Sequence, residues 1–71
     1  MRVSLEDFFV MSASEISGVR VWFRNPEDKY DMRLVAEYDA AFLMSVVPAS
    51  MPERIKVAID RYCKQEGLEL E

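Results

Sequence analysis

The chain has 71 residues, 51% of them apolar, with 13 Asp and Glu against 9 Lys and Arg for a formal net charge of −4, one cysteine and no histidine. That length makes one domain, near the size at which a single apolar core only just offsets the entropy of folding. The apolar content excludes a disordered chain and no stretch approaches the roughly 20 apolar residues of a membrane span, while the missing histidine removes the commonest general base, the commonest metal ligand and every Ser–His or Cys–His nucleophile.

The N-terminus, Met1-Arg2-Val3-Ser4-Leu5-Glu6-Asp7, does not read as a secretory signal. A lone cysteine forms no internal disulfide, so a reducing, cytoplasmic setting is expected. The negative charge favours solubility and weighs against nonspecific attraction to a polyphosphate backbone.

Ser4 and Asp7 stand at capping-box spacing ahead of Phe8 and Phe9, which predicts a short helix through about residue 11 or 12, lined on one side by Leu5, Phe8, Phe9 and Ser12. The small and polar residues 12–18 read as a loop. Val19, Val21 and Phe23 then alternate with Arg20, Trp22 and Arg24, and beyond a turn at Asn25-Pro26-Glu27-Asp28-Lys29 the alternation resumes with Tyr30, Met32, Leu34, Ala36 and Tyr38. This predicts an antiparallel hairpin. Pairing Arg24 with Asp31 avoids setting Arg24 against Lys29. It places Phe23, Val21 and Val19 opposite Met32, Leu34 and Ala36, with Trp22 beside Arg33 and Arg20 beside Val35 on the outer face.

Residues 40–47 admit two readings. The β-branched Val46 and Val47 and the scarcity of polar residues favour a third strand over residues 42–47, ended by Pro48. Asp39 as an N-cap ahead of Ala40-Ala41-Phe42-Leu43-Met44 suits a helix instead. The strand is the preferred reading.

From Ser50 onward the pattern is helical. Ser50 and Glu53 have capping-box spacing, Pro52 is tolerated in a first turn, and Gly67 can close the helix in the left-handed conformation. Met51, Ile55, Ala58, Ile59, Tyr62 and Cys63 fall on one face, with Arg54, Lys56, Asp60, Arg61 and Lys64 on the others. Leu68 and Leu70 add a short edge strand or a frayed end. The expected fold class is therefore α+β: a small antiparallel three-stranded sheet with a short N-terminal helix and a C-terminal amphipathic helix, in the order α-β-β-β-α, or β-β-α-α if residues 40–47 are helical. Double-stranded RNA-binding domains share the first order, but they set a basic cluster at the start of the last helix, where this chain has Pro48-Ala49-Ser50-Met51-Pro52-Glu53. The likeness is one of topology only.

No residue is assigned to catalysis, to a cofactor or to a metal. The adjacent pairs Glu6-Asp7 and Glu27-Asp28 read as helix-start charge and a solvated turn, because neighbours in sequence seldom aim at one reacting atom. Gly18 and Gly67 stand alone, so no Gly-rich loop cradles a phosphate. Cys63, on the apolar helix face, reads as a small buried hydrophobe. Trp22 is different: strand alternation sends it outward among Arg20, Arg24 and Arg33, a Trp and Arg composition found at binding hot spots. These four residues form the expected partner-binding patch. Phe42, Leu43, Met44 and Val46, on an apolar edge strand, form the expected self-association surface and point to a homodimer.

The function expected from this pattern is that of a non-enzymatic protein–protein interaction module, a small regulator, adaptor or inhibitor. Its sharper form is a phage or mobile-element protein that blocks a host enzyme. Nucleic-acid binding through Trp22 and the hairpin arginines is a weaker alternative, because Asp31, Glu37 and Asp39 share the face and repel phosphate. A minor structural subunit of a larger assembly is a third.

Overall fold

The computed structural model describes residues 1–13 and 18–71. The chain is a mixed α+β fold whose strands and helices run β1 (Arg2–Val3), β2 (Phe8–Ala13), β3 (Gly18–Arg24), β4 (Met32–Tyr38), α1 (Ala40–Ser45), α2 (Met51–Glu66) and β5 (Glu69–Leu70), with 3-10 turns at Leu5–Asp7 and Pro48–Ser50. Strands β2, β3 and β4 form an antiparallel sheet in that order, and β1 pairs with β5 in parallel.

The helix α2 closes one face of the sheet. Its Ile59 and Cys63 are buried with Val3, Phe8, Val21 and Phe23, and Ile55, Tyr62, Val35, Ala36, Tyr38, Leu68 and Leu70 pack around them. Phe8, Phe23 and Tyr62 make the aromatic centre of this core, with ring centroids 5.1 Å (Phe8–Phe23), 5.8 Å (Phe23–Tyr62) and 6.3 Å (Phe8–Tyr62) apart. Tilted and edge-on pairs at such distances add to the burial of the rings themselves. The helix stops at Gly67, which takes a φ of 67°, and the Leu68 N–H reaches back 2.8 Å to the Cys63 carbonyl. This turn aims the C-terminus along β1, where the Glu69 and Glu71 N–H groups bond the carbonyls of Met1 and Val3 at 2.9 Å each. Leu68 and Leu70 thus close the edge of the core.

Several expectations change. The helix expected through residue 11 or 12 is a single 3-10 turn, in which the Ser4 N–H donates to the Asp7 carboxylate at 2.9 Å, followed by strand β2. The local capping signal is real but extends no further than that turn. Of the loop expected at residues 12–18, Ser12 and Ala13 belong to β2, Gly18 belongs to β3, and residues 14–17 lie outside the described residues. Residues 40–45 are helix α1 and not a third strand: the Asp39 carboxylate accepts the Phe42 N–H at 2.8 Å, so the N-cap signal wins, and Val46 and Val47 fall beyond the helix end. The Ser50 capping box does not form. Ser50 is already helical in its 3-10 turn, and its hydroxyl donates to the Val47 carbonyl at 2.6 Å.

The hairpin of β3 and β4 exists, but its register differs from the expected one. Arg24 pairs with Met32, Phe23 with Arg33 and Trp22 with Leu34, while beyond an irregularity Val21 pairs with Ala36, Arg20 with Glu37 and Val19 with Tyr38. Val35 is the extra residue, a β-bulge that reverses which side of β4 faces the core. Ala36 and Tyr38 face α2, whereas Met32 and Leu34, expected inside, point away from it. The loop sets this register through Asn25, whose N–H bonds the Asp31 carbonyl at 3.0 Å and whose side chain holds both the Glu27 N–H (2.9 Å) and the Asp31 carboxylate (3.1 Å).

Candidate protein-binding face

The side of the sheet turned away from α2 is built from alternate residues of all three strands. Phe9 and Met11 come from β2, Arg20, Trp22 and Arg24 from β3, and Met32, Leu34 and Glu37 from β4. Cross-strand pairing sets Phe9 beside Trp22 and Trp22 beside Leu34, so an apolar row runs across the whole sheet. Among the described residues no element packs over it: Met11 is 53% exposed, Leu34 47% and Met32 41%, while Phe9 and Trp22 are half-buried by their neighbours. The Arg24 guanidinium sits 5.3 Å from the centre of the Phe9 ring, a cation–π contact, and Arg20 is ion-paired to Glu37 across the strands.

The expected patch is therefore divided. Arg20, Trp22 and Arg24 share the open face, but Arg33 does not, because the register sets it opposite Phe23 on the helix side. There it bonds the Asp31 carboxylate through Nε (3.2 Å) and Nη2 (3.0 Å) and reaches Glu66 of α2 through Nη1 at 3.4 Å. Near it lies the Tyr62 hydroxyl, a buried group with no hydrogen-bond partner among the described residues. Hydrogen bonds from Arg33 and Asn25 hold the Asp31 carboxyl below its ordinary range, and those to Asp31 raise the Arg33 guanidinium further. Arg33 ties the hairpin to the last turns of α2.

In place of Arg33 the open face holds Phe9, Met11, Met32 and Leu34, which the sequence reading assigned elsewhere. The uncharged run Phe8-Phe9-Val10-Met11 hinted at a strand apolar on both sides, but the capping signal before it pointed to a helix. The self-association set is also dispersed. Phe42 stacks on Tyr38, with centroids 5.3 Å apart, and lies beneath the Arg54 guanidinium, 5.5 Å away. Leu43 and Val46 are half-buried and Met44 is 88% exposed. No edge strand exists there, and the dimer reading loses the strand that supported it.

Elsewhere the chemistry is sparse. A hollow of about 490 Å³ between Tyr38 and α2 is lined by Ser50, Glu53, Arg54 and Arg61 and presents no nucleophile paired with a base. Among the described residues no three His, Cys, Asp or Glu side chains gather as metal ligands, and no helix is long and apolar enough to cross a membrane. Cys63 is buried, and that burial pushes its thiol up, with Asp60 adding to the effect. Arginine, methionine and aromatic side chains around an apolar centre are what the open face offers, and those residue types are enriched at protein interfaces. No protein-family model, no curated protein and no solved structure matches this chain.

Proposed function

We propose that the chain is a non-enzymatic protein–protein interaction module, a small regulator, adaptor or inhibitor, that binds another protein through the open face of its sheet. The observation that carries this reading is the Phe9–Trp22–Leu34 row, three large apolar side chains in register across three strands with no described element packed over them. A contiguous apolar patch on a small domain marks an interaction site, and a central aromatic flanked by arginines is the usual make-up of a hot spot. A phage or mobile-element protein that blocks a host enzyme would have this form: compact, acidic and dependent on surface alone.

The open face favours a protein partner over a nucleic acid. Arg33 is on the other side, Arg20 is neutralised by Glu37, and Arg24 alone remains to meet phosphate in a chain of net charge −4. A subunit of a larger assembly would use the same face but would copurify with its partner in fixed ratio.

The test is affinity capture from the native lysate by the wild-type chain, by Trp22→Ala and by Leu34→Lys, each checked for fold by circular dichroism. Retained capture by both folded variants would sink the reading. Loss of capture by both, with an Arg61→Ala control on α2 unaffected, is the expected result.

A further inference from the structure

We infer that two copies of this chain pair edge to edge through β2, joining their sheets into one antiparallel sheet of six strands. The sheet has two outer strands, β2 and β4, and they are treated differently. β4 carries Arg33 and Glu37 and is broken by the bulge at Val35, two of the devices that keep a sheet edge from pairing. β2 has neither. Its sequence, Phe8-Phe9-Val10-Met11-Ser12-Ala13, contains no charge and no proline, and no described strand bonds its outer side.

The surroundings of that edge specify what can fill it. On the open face it borders Phe9 and Met11. On the helix side it borders a groove of about 350 Å³ lined mainly by apolar residues, among them Leu5, Phe8, Val10, Ile55 and Ile59, with Lys56 as its one charged member. An incoming strand must therefore present apolar side chains on both of its faces. β2 meets that requirement itself: Phe8 and Val10 point to the helix side, Phe9 and Met11 to the open side, and Val10 and Met11 are half exposed in the single chain.

Charge at the seam permits the same occupant. Copies of a chain of net charge −4 repel each other overall, but Asp7 to Glu15 encloses a run of seven residues, 8–14, with no charge at all, so the repulsion is least along this edge. Antiparallel pairing about a twofold axis at Val10 sets Val10 against Val10 of the second copy and Phe9 against Met11, with no like charges opposed. The axis stands perpendicular to the sheet. Both open faces then lie on the same side, and Phe9 and Met11 of each copy continue the apolar surface of the other.

The pairing stands independently of any partner for the open face, and its test leaves Trp22 untouched. Sedimentation of the purified chain from micromolar to hundreds of micromolar should show a species of twice the 8.3 kDa chain mass. Val10→Lys, at a half-exposed site and with its fold checked by circular dichroism, should weaken dimerisation about tenfold or more by placing two like charges across the axis. Met44→Lys on α1 should leave it unchanged. As a second readout, Val10→Cys should form a disulfide-linked dimer on mild oxidation, while the wild-type chain, whose Cys63 is buried, should not. A monomeric wild type across that range overturns the inference, as does a Val10→Lys chain that dimerises like the wild type, a Met44→Lys chain that loses the dimer, or a Val10→Cys chain that does not cross-link.

Discussion

The bulge at Val35 makes a prediction that separates the two faces of the sheet by energy. Phe23 and Leu34 sit on adjacent strands, and simple alternation would bury both. The structure buries Phe23 completely, at 0% exposure, and leaves Leu34 47% exposed. Truncating Phe23 to Ala removes a ring that touches Phe8 and Tyr62 and leaves a cavity, at a cost of about 3–5 kcal/mol. Burying a leucine fully is worth about 2 kcal/mol, so a site half in water should lose about 1 kcal/mol on Leu34→Ala. At about 0.05–0.15 kcal/mol per residue, a chain of this length has a total stability of about 4–10 kcal/mol. Phe23→Ala should therefore lose about a third or more of that stability and Leu34→Ala only about a quarter or less. The assay is urea unfolding at one fixed protein concentration, since association would add to the apparent stability, followed by fluorescence of the single tryptophan, Trp22, and by far-ultraviolet circular dichroism. With a urea slope of about 1 kcal/mol/M, the midpoint should fall by about 1 M for Leu34→Ala and by about 3 M or more for Phe23→Ala. Equal losses for the two variants would refute the bulge and the open face with it.

Four further outcomes follow from single contacts. Gly67→Ala should cost about 1 kcal/mol, read as a lower urea midpoint, because its φ of 67° is strained for a residue with a Cβ, although no atom lies within 4 Å of where that Cβ would stand; Gly67→Asn should recover part of the loss. Asp39→Ala should cost about 1 kcal/mol and speed hydrogen exchange at the Phe42 amide, whose acceptor it removes. Burial raises the Cys63 thiol, so the native chain should resist a thiol reagent at pH 8 and react when unfolded in urea; because the unfolded thiol ionises first, this contribution to stability is present at low pH and is lost as pH rises through and beyond the ordinary thiol range. Asp31 works in the opposite sense: its carboxyl is held below the ordinary value by Arg33 and Asn25, so its contribution is full above the unfolded carboxylate range and is lost as pH falls through the folded value, a dependence that Asp31→Asn should flatten in acid titrations of stability.

How far each element was legible follows from how many signals agreed. For α2 the apolar stripe and the closing Gly67 pointed the same way, and the helix spans Met51–Glu66 with Ile59 and Cys63 buried as the stripe implies. The hairpin was legible as a hairpin, since Val21 and Phe23 do face the core. Its register was not, because a bulge leaves no mark when the extra residue is a valine that fits either side. β2 was misread because Phe8-Phe9-Val10-Met11 has neither the period of a helix nor that of a strand exposed on one side, and a local cap tipped the balance. Residues 40–45 show two local rules in conflict, a capping aspartate against β-branched valines, and the valines lay outside the element they seemed to define. Trp22, Arg20 and Arg24 were found from alternation along one strand. Phe9 and Leu34 needed the pairing of three.

The bulge also explains why the open face is so apolar in so small a chain. Without it, Leu34 would continue the inner face next to Val21, Ala36 would fall out of its pairing with Val21, and Arg33 would share the outer face with Trp22, as regular alternation expects. One inserted residue instead brings Arg33 to Asp31, Glu66 and Tyr62 on the helix side, where its charge anchors the hairpin. It sends Met32 and Leu34 outward, where they contribute almost nothing to the core. A sequence selected for stability alone would set those two residues inside or make them polar, because exposed apolar surface costs solubility and invites association. Bulges recur where a strand must re-aim its side chains for a site. The bulge thus adds Leu34 to the Phe9 and Trp22 pair that β2 and β3 already set outward, and completes the row on which the proposed protein-binding face rests.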